Sequence, residues 1–305
     1  MKLPYIMNRF YRFMRLATPE TVKPTIRGIY NMMNKFSTYG RADIFCALDI
    51  ETNSRCNLRC SYCPVSIVDR GDHFMPESLF QKIIDDLSIF PYRGRISPHF
   101  YGDPMIDERM PQLMAYARKK LPMAKLIIHT NGIRLTREAY RELIRVGVDG
   151  FIITKHMRHL PKTVLDILEQ EPDAKQYLRI QDLQAVGLFN RAGTVKLKKE
   201  RVLKRCFYLS DEIAIDWRGE VACTNDFFVR ESFGNVANQH LLKDIWWGPR
   251  FSMIRKRLRH GHFDLQVCRE CSGREPAKYL ASQGALPQKD RLTEEAGIAL
   301  QEHSS

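Results

Sequence analysis

Cys56, Cys60 and Cys63 stand in the run Cys-Asn-Leu-Arg-Cys-Ser-Tyr-Cys, and this CxxxCxxC spacing constrains the chain more than any other feature. Three thiolates on one tight loop can hold three corners of a [4Fe–4S] cube and leave the fourth iron open for chemistry. A structural zinc site more often shows two CxxC or Cys/His pairs, giving four closed ligands. The context fits a reactive centre. Ala47-Leu48-Asp49-Ile50-Glu51-Thr52 reads as a strand running into the loop, and a helical segment follows from about Pro76.

From Ala42 to about Gln184 short apolar strands alternate with amphipathic helices. Candidate strands are Phe45–Glu51, Ile96–Tyr101, Lys125–His129, Gly150–Thr154 and Tyr177–Asp182. Candidate helices are Glu77–Phe90, Glu108–Lys120, Arg137–Val146 and Lys162–Glu169. Repeated βα units imply an α/β fold with a parallel sheet and helices outside. In a closed-up sheet of this kind, functional residues gather at the C-terminal ends of the strands. Those ends carry Tyr101-Gly102-Asp103-Pro104, Thr130-Asn131-Gly132 and Thr154-Lys155-His156. Each is an ordinary turn taken alone.

The cysteine loop with its flanking strand and helix resembles the radical S-adenosylmethionine (SAM) superfamily. The resemblance implies a partial (β/α)6 barrel in which SAM chelates the open iron of a [4Fe–4S] cluster. An electron from that cluster then cleaves SAM, and a 5′-deoxyadenosyl radical takes hydrogen from an unactivated C–H bond. It also implies SAM contacts for Tyr62, Gly102, Asp103, Pro104, Thr130, Asn131 and Thr154. The family usually has Glu at the position of Asp103, so here the backbone contacts are expected to persist while the carboxylate's reach is shortened. His129, His156 and His159 are candidate bases. Arg179 would hold a SAM or substrate carboxylate if its strand register turns it inward.

Cys206, Cys223, Cys268 and Cys271 form a second set. Ile213–Trp217 turns at Arg218-Gly219 and returns to Cys223. Gly234-Asn235-Val236 then leads to helices over Leu241–Trp247 and Arg250–Arg259, and Cys268-Arg-Glu-Cys271 closes the set. From spacing alone four thiolates hold zinc as readily as iron. The order of these features is similar to the auxiliary-cluster region of SPASM/twitch radical SAM enzymes, in the single-cluster layout of a dehydrogenase that oxidises an aminocyclitol alcohol. That implies a second [4Fe–4S] cluster, closed by four thiolates, which accepts an electron. The implied organisation is an N-terminal helical extension (1–41), the barrel (42–190), a basic linker (191–205), a small C-terminal twitch-type domain (206–275) and a polar tail (276–305).

Composition narrows the partners. No apolar run is long enough to span a membrane. Seven of the eight cysteines fall into metal-like groups, which points to a reducing cytoplasm; Cys46, on the first strand, reads as a packing residue. The net charge is +13. Residues 1–40 carry seven Lys/Arg against Glu20, and Arg191–Arg205 carries seven against Glu200. Such patches suit an anionic partner, or are simply solvated. In the first forty residues, Ile6, Phe10, Phe13 and Met14 mark one helix, and Ile26, Tyr30, Met33 and Phe36 a second. Both are expected to pack on the barrel wall. The favoured reading is oxidation of a small anionic or sugar-like substrate, with flavodoxin or ferredoxin as electron donor. A ribosomal peptide or an RNA is the alternative substrate.

Overall fold

A computed structural model describes residues 23–60, 62–66, 68–182, 190–195 and 202–275. After helix α1 (Lys23–Tyr39) the chain alternates β1 (Ala47–Ile50), α2 (Glu77–Ser88), β2 (Arg95–Ser97), α3 (Met110–Lys120), β3 (Lys125–Thr130), α4 (Arg137–Arg145), β4 (Gly150–Lys155), α5 (Lys162–Gln170), α6 (Ala174–Tyr177) and β5 (Leu178–Asp182). A short helix α7 (Tyr208–Asp211) precedes the hairpin β6 (Glu212–Ile215) and β7 (Val221–Ala222). The sheet order is β5-β4-β3-β2-β1-β6-β7, parallel throughout except for the β6–β7 pair. The sixth parallel strand thus comes from the second cysteine region and joins the sheet beside β1. Of the last third of the chain, β6 and β7 are part of the barrel sheet.

Strand alternation gives the sheet two unlike faces. Leu48, Ile50, Ile96, Leu126, Ile128, Phe151, Ile153, Ile213 and Ile215 are buried against the helices. Each such side chain contributes about 1.5–3 kcal/mol. On the opposite face stand Asp49, Arg95, Ser97, His129, Thr154 and Glu212, so the interior is polar. The expected second strand ran to Tyr101. Pairing stops at Ser97 because Pro98 has no N–H to give the ladder. The hairpin turn is organised by Asp216, whose Oδ1 accepts from Arg218 N and Glu220 N, both at 2.9 Å.

The expected Leu241–Trp247 helix is a π-helix, Leu241–Trp246, followed by α8 (Pro249–Arg259) and α9 (Gln266–Cys271). It buries Trp246, on whose ring the Arg255 guanidinium lies at 3.7 Å. Arg255 donates to Trp246 O at 2.7 Å and to Asp43 at 3.0 Å, and both Trp246 and Trp247 donate to Asp43 O. These contacts tie the last helices to the lead-in of β1.

The helix expected over Ile6–Met14 lies outside the described residues. The second N-terminal helix is α1, and its docking differs from the expected apolar one. It attaches through polar groups: Lys35 bonds Ser210 O and Asp211, and Asn31 bonds Asp211. Met33 and Phe36 are exposed, and the helix meets the apolar core at its end, where the Tyr39 ring lies against Phe90 and Tyr92.

Asp43→Ala should destabilise the protein by about 3 kcal/mol, because it leaves the buried Arg255 charge unpaired. Asp43→Asn should retain part of that loss. Urea unfolding measures both, and unchanged midpoints would remove this role.

Candidate active site and cluster centres

Three strand-end loops converge on the first cysteine set. Beyond β1, Glu51 is fully buried and takes a bidentate bond from Arg70, at 2.5 and 2.8 Å, across the whole cysteine loop. Its Oε1 also accepts Tyr101 N at 3.1 Å. Within the loop Cys63 N donates to Cys60 O at 2.9 Å, and Ser66 caps the following turn on Cys63 O. The second loop lies directly on the first. A Cβ on Gly102 would come within 2.1 Å of Asn53 O, so only glycine fits, and Asp103 N bonds Arg55 O at 2.7 Å.

Asp103 spends its carboxylate inside the protein. Its oxygens accept from Met105 N, Thr130 Oγ1 and Asn131 N, at 2.9 to 3.0 Å. It thereby fixes the third loop, which Asn131 Nδ2 joins to Asn57 Oδ1 at 2.7 Å. Thr154 lies on the interior face of β4. Tyr62 and His156 are hydrogen-bonded with stacked rings, 6.0 Å between centroids, so the cysteine loop is also linked to the end of β4. Burial pulls the His156 pKa down to about 4. His159 is exposed beyond β4 and apart from these loops.

Deeper on the polar face lies a charged network that the sequence reading left out. Arg95 donates to Asp49 at 2.9 Å, Ser97 Oγ at 2.7 Å and Glu212 at 2.8 Å. It also lies 3.2 Å from His129 Nε2, so the guanidinium takes the lone pair of that nitrogen. His129 stacks on His99 at 4.5 Å between centroids. Burial, then His99 and Arg95, lower the His129 pKa to about 2; burial, then Arg95 and Arg191, lower that of His99 to about 3. Glu212 is pushed up to about 7, by burial and then by Asp49. Arg179 pairs in register with Ile152, and so shares the face of His129. It is exposed, with no partner among the described residues. The missed residues had one signal, charge at alternate positions of otherwise apolar strands.

All eight cysteines are free. Burial and mutual proximity raise the thiol pKa of Cys56 to about 12 and of Cys60 to about 11, and burial raises that of Cys63. The second set behaves alike: Cys223 is raised well above its ordinary value by burial and then by Cys271, with Cys206 and Cys268 beside it, and Cys271 is raised to about 11. Cys223 follows β7, Cys206 N bonds Leu258 O at 3.0 Å, and α9 presents Cys268 and Cys271 one turn apart. Among the described residues no three such ligands close on a single-ion position. The thiols fall into two groups of mutual neighbours, one on the first loop and one in the second region. Three unpaired thiols on the first loop and four in the second set fit an iron–sulfur donor set. Val65, Tyr101 and Phe227 form an apolar cluster against which Cys56 and Cys63 pack, and Tyr101 also lies near Cys223.

The chain matches the radical SAM superfamily over residues 50–183 and an iron–sulfur cluster-binding domain over residues 206–272. It is 32% identical to the S-adenosyl-L-methionine-dependent 2-deoxy-scyllo-inosamine dehydrogenase of Niallia circulans, over 75% of this chain and 93% of that one. It is 36% identical to a tungsten-containing aldehyde ferredoxin oxidoreductase cofactor-modifying protein of Pyrococcus furiosus, over 33% of this chain and 28% of that one. The crystal structure of BtrN in complex with AdoMet and 2-DOIA superposes with a TM-score of 0.68 at 30% identity, over 75% of this chain and 93% of BtrN. The chain therefore belongs to the radical SAM superfamily, and within it to the members that carry an additional cluster-binding domain. It is an oxidoreductase that uses SAM and iron–sulfur clusters, and the choice between zinc and iron in the second region falls to iron. Among the described residues no helix is long and apolar enough to cross a membrane.

Two predictions follow from this geometry. Asp103→Ala would leave the buried N–H groups of Met105 and Asn131 unpaired, and should cost about 2–4 kcal/mol in denaturant unfolding. Glu212 has a raised folded-state pKa, so between its ordinary value of 4.5 and about 7 the folded protein holds more protons than the unfolded chain. Stability should therefore fall as pH rises through that window, by up to about 3 kcal/mol. Glu212→Gln should flatten the slope in unfolding curves taken from pH 5 to 8; an unchanged slope would assign it to other groups.

Proposed function

We propose that this enzyme dehydrogenates a secondary alcohol of a small, hydroxyl-rich substrate of the aminocyclitol or sugar class. The carrying observation is the second set of four neighbouring thiols, apart from the first loop in sequence and brought together by the C-terminal elements. Four protein ligands leave no open iron, which suits an electron acceptor better than a substrate site. When bound, the two clusters and SAM would supply a hydrogen-abstracting radical and an electron sink. Cys56, Cys60 and Cys63 would hold the first cluster, and Cys206, Cys223, Cys268 and Cys271 the second.

The remaining work belongs to side chains. Gly102, Pro104, Thr130, Asn131, Thr154 and Tyr62 line the convergent loops where SAM would lie, and Asp103 positions them from behind. Asp49, Ser97, Arg95 and Glu212 offer the polar face that hydroxyl groups need. Arg179, turned to the same face, suits an anionic group. Removing the hydroxyl proton needs a free acceptor. Arg95 engages both His129 Nε2 and Glu212 Oε1, and Glu212, which keeps a second carboxylate oxygen and a proton affinity near neutrality, is the better matched of the two. Kinship with the inosamine dehydrogenase favours a small molecule over a peptide. A reducing cytoplasm, with flavodoxin or ferredoxin as electron donor, completes the reading.

Anaerobically reconstituted enzyme should bind about eight irons, falling to about four on replacing Cys56, Cys60 and Cys63 with Ala. With a screen of aminocyclitols and sugars deuterated at the carbinol carbons, the substrate should pass deuterium into 5′-deoxyadenosine and leave as a ketone. An epimerised alcohol carrying solvent hydrogen would overturn the oxidative assignment.

A further inference from the structure

The second cysteine set lies under a basic surface that neither the barrel nor the substrate face uses. Lys204 and Arg205, directly before Cys206, are exposed, as are Lys256 on α8 and Arg274 after α9. Local bonds hold these segments on one side of the set. Leu203 N donates to Ser272 O at 2.9 Å, Arg274 Nη2 donates to Leu203 O at 3.3 Å, and Gly261 packs against Lys204 O. The local carboxylates are already engaged: Asp264 pairs with Arg257, Glu275 with Arg269 at 2.7 Å, and the buried Glu270 with Arg230 at 2.5 Å. Lys204, Arg205, Lys256 and Arg274 have no carboxylate partner among the described residues. Arg259, also without one, uses Ser210 Oγ.

We propose that this face is the docking site for an acidic one-electron carrier protein. The inference rests on the reading of the second set as an electron-accepting cluster. Oxidising an alcohol to a ketone removes two electrons and two protons. One hydrogen atom leaves in 5′-deoxyadenosine, one proton goes to a base, and one electron enters the second centre. A protein-borne carrier that exchanges that electron must come close to it. Lys204 and Arg205, next in sequence to Cys206, and Arg274, three residues past Cys271, present an attractive field at that spot. Charge complementarity of this kind raises encounter rates and weakens with salt.

Binding of an acidic flavodoxin to the reconstituted enzyme, measured by interferometry across a salt series, tests the assignment without requiring turnover. Lys204→Glu, Arg205→Glu and Arg274→Glu together should weaken binding at least tenfold and flatten its salt dependence. A control with the same charge change on the outer helices, Lys119→Glu, Arg145→Glu and Lys175→Glu, should weaken it less than threefold. Equal losses in both variants would reduce the effect to net charge and overturn the proposal, as would undetectable binding at low salt. SAM cleavage driven by dithionite should persist in the first variant, which separates a failed docking face from a failed fold. Failure of the alcohol-oxidation reading would appear instead in the product of the dithionite reaction.

Discussion

Much of this molecule hangs on the buried ion pair between Glu51 and Arg70. It clamps the end of β1 to the far end of the cysteine loop, so three thiols that would otherwise sit on a wandering segment are enclosed in a closed ring. The same carboxylate holds Tyr101 N at the entrance of the second loop, and the Arg70 guanidinium lies 5.1 Å from the Phe227 ring, just after Cys223. One pair thus fixes the first centre, its neighbouring strand end and the apolar cluster beside them. Such a pair adds little net stability, since desolvating both charges costs several kcal/mol each. Its value is positional: bidentate geometry allows one arrangement of the loop ends.

From that clamp the loops are assembled in series by short polar contacts. Gly102 lies on Asn53, Asp103 reaches Thr130 and Asn131, and Asn131 reaches back to Asn57. The shorter Asp in place of the family's Glu fits this arrangement, because the carboxylate is consumed inside the scaffold. Further down, Arg95 plays the corresponding part for the polar face, joining β2 to Asp49 on β1 and Glu212 on β6. The hairpin of the second centre is therefore bound to the barrel by backbone pairing and by charge at once.

The βα alternation, the strand-end turns and both cysteine sets were legible in the sequence because each depends on local pattern: period, turn chemistry and ligand spacing. The placement of β6 beside β1 was not. Nothing in Ile213-Ala214-Ile215 states which edge it will pair with, since pairing across such a sequence distance is a tertiary choice. Likewise Glu51, Arg70, Arg95 and Glu212 read as scattered charges until the strands bring them together. Met33 and Phe36 misled for the opposite reason, because a helical apolar stripe announces a face without saying what that face will meet. His129 has the right chemistry for a base, and only the approach of Arg95 to its Nε2 shows that it is spoken for.

Burial has a further consequence for the thiols. In the metal-free protein it favours the neutral, protonated form at all seven clustered cysteines. A cluster binds thiolates, so loading must expel protons and bring net negative charge into the same volume. The cations already there, Arg70 beside the first loop and Arg191 beside Tyr101, lie where that charge would arrive. Arg191 lies 5.4 Å from the Tyr101 ring and reaches Thr224 O at 3.5 Å. Cluster loading would thus couple the release of thiol protons to the arrival of negative charge beside Arg70 and Arg191.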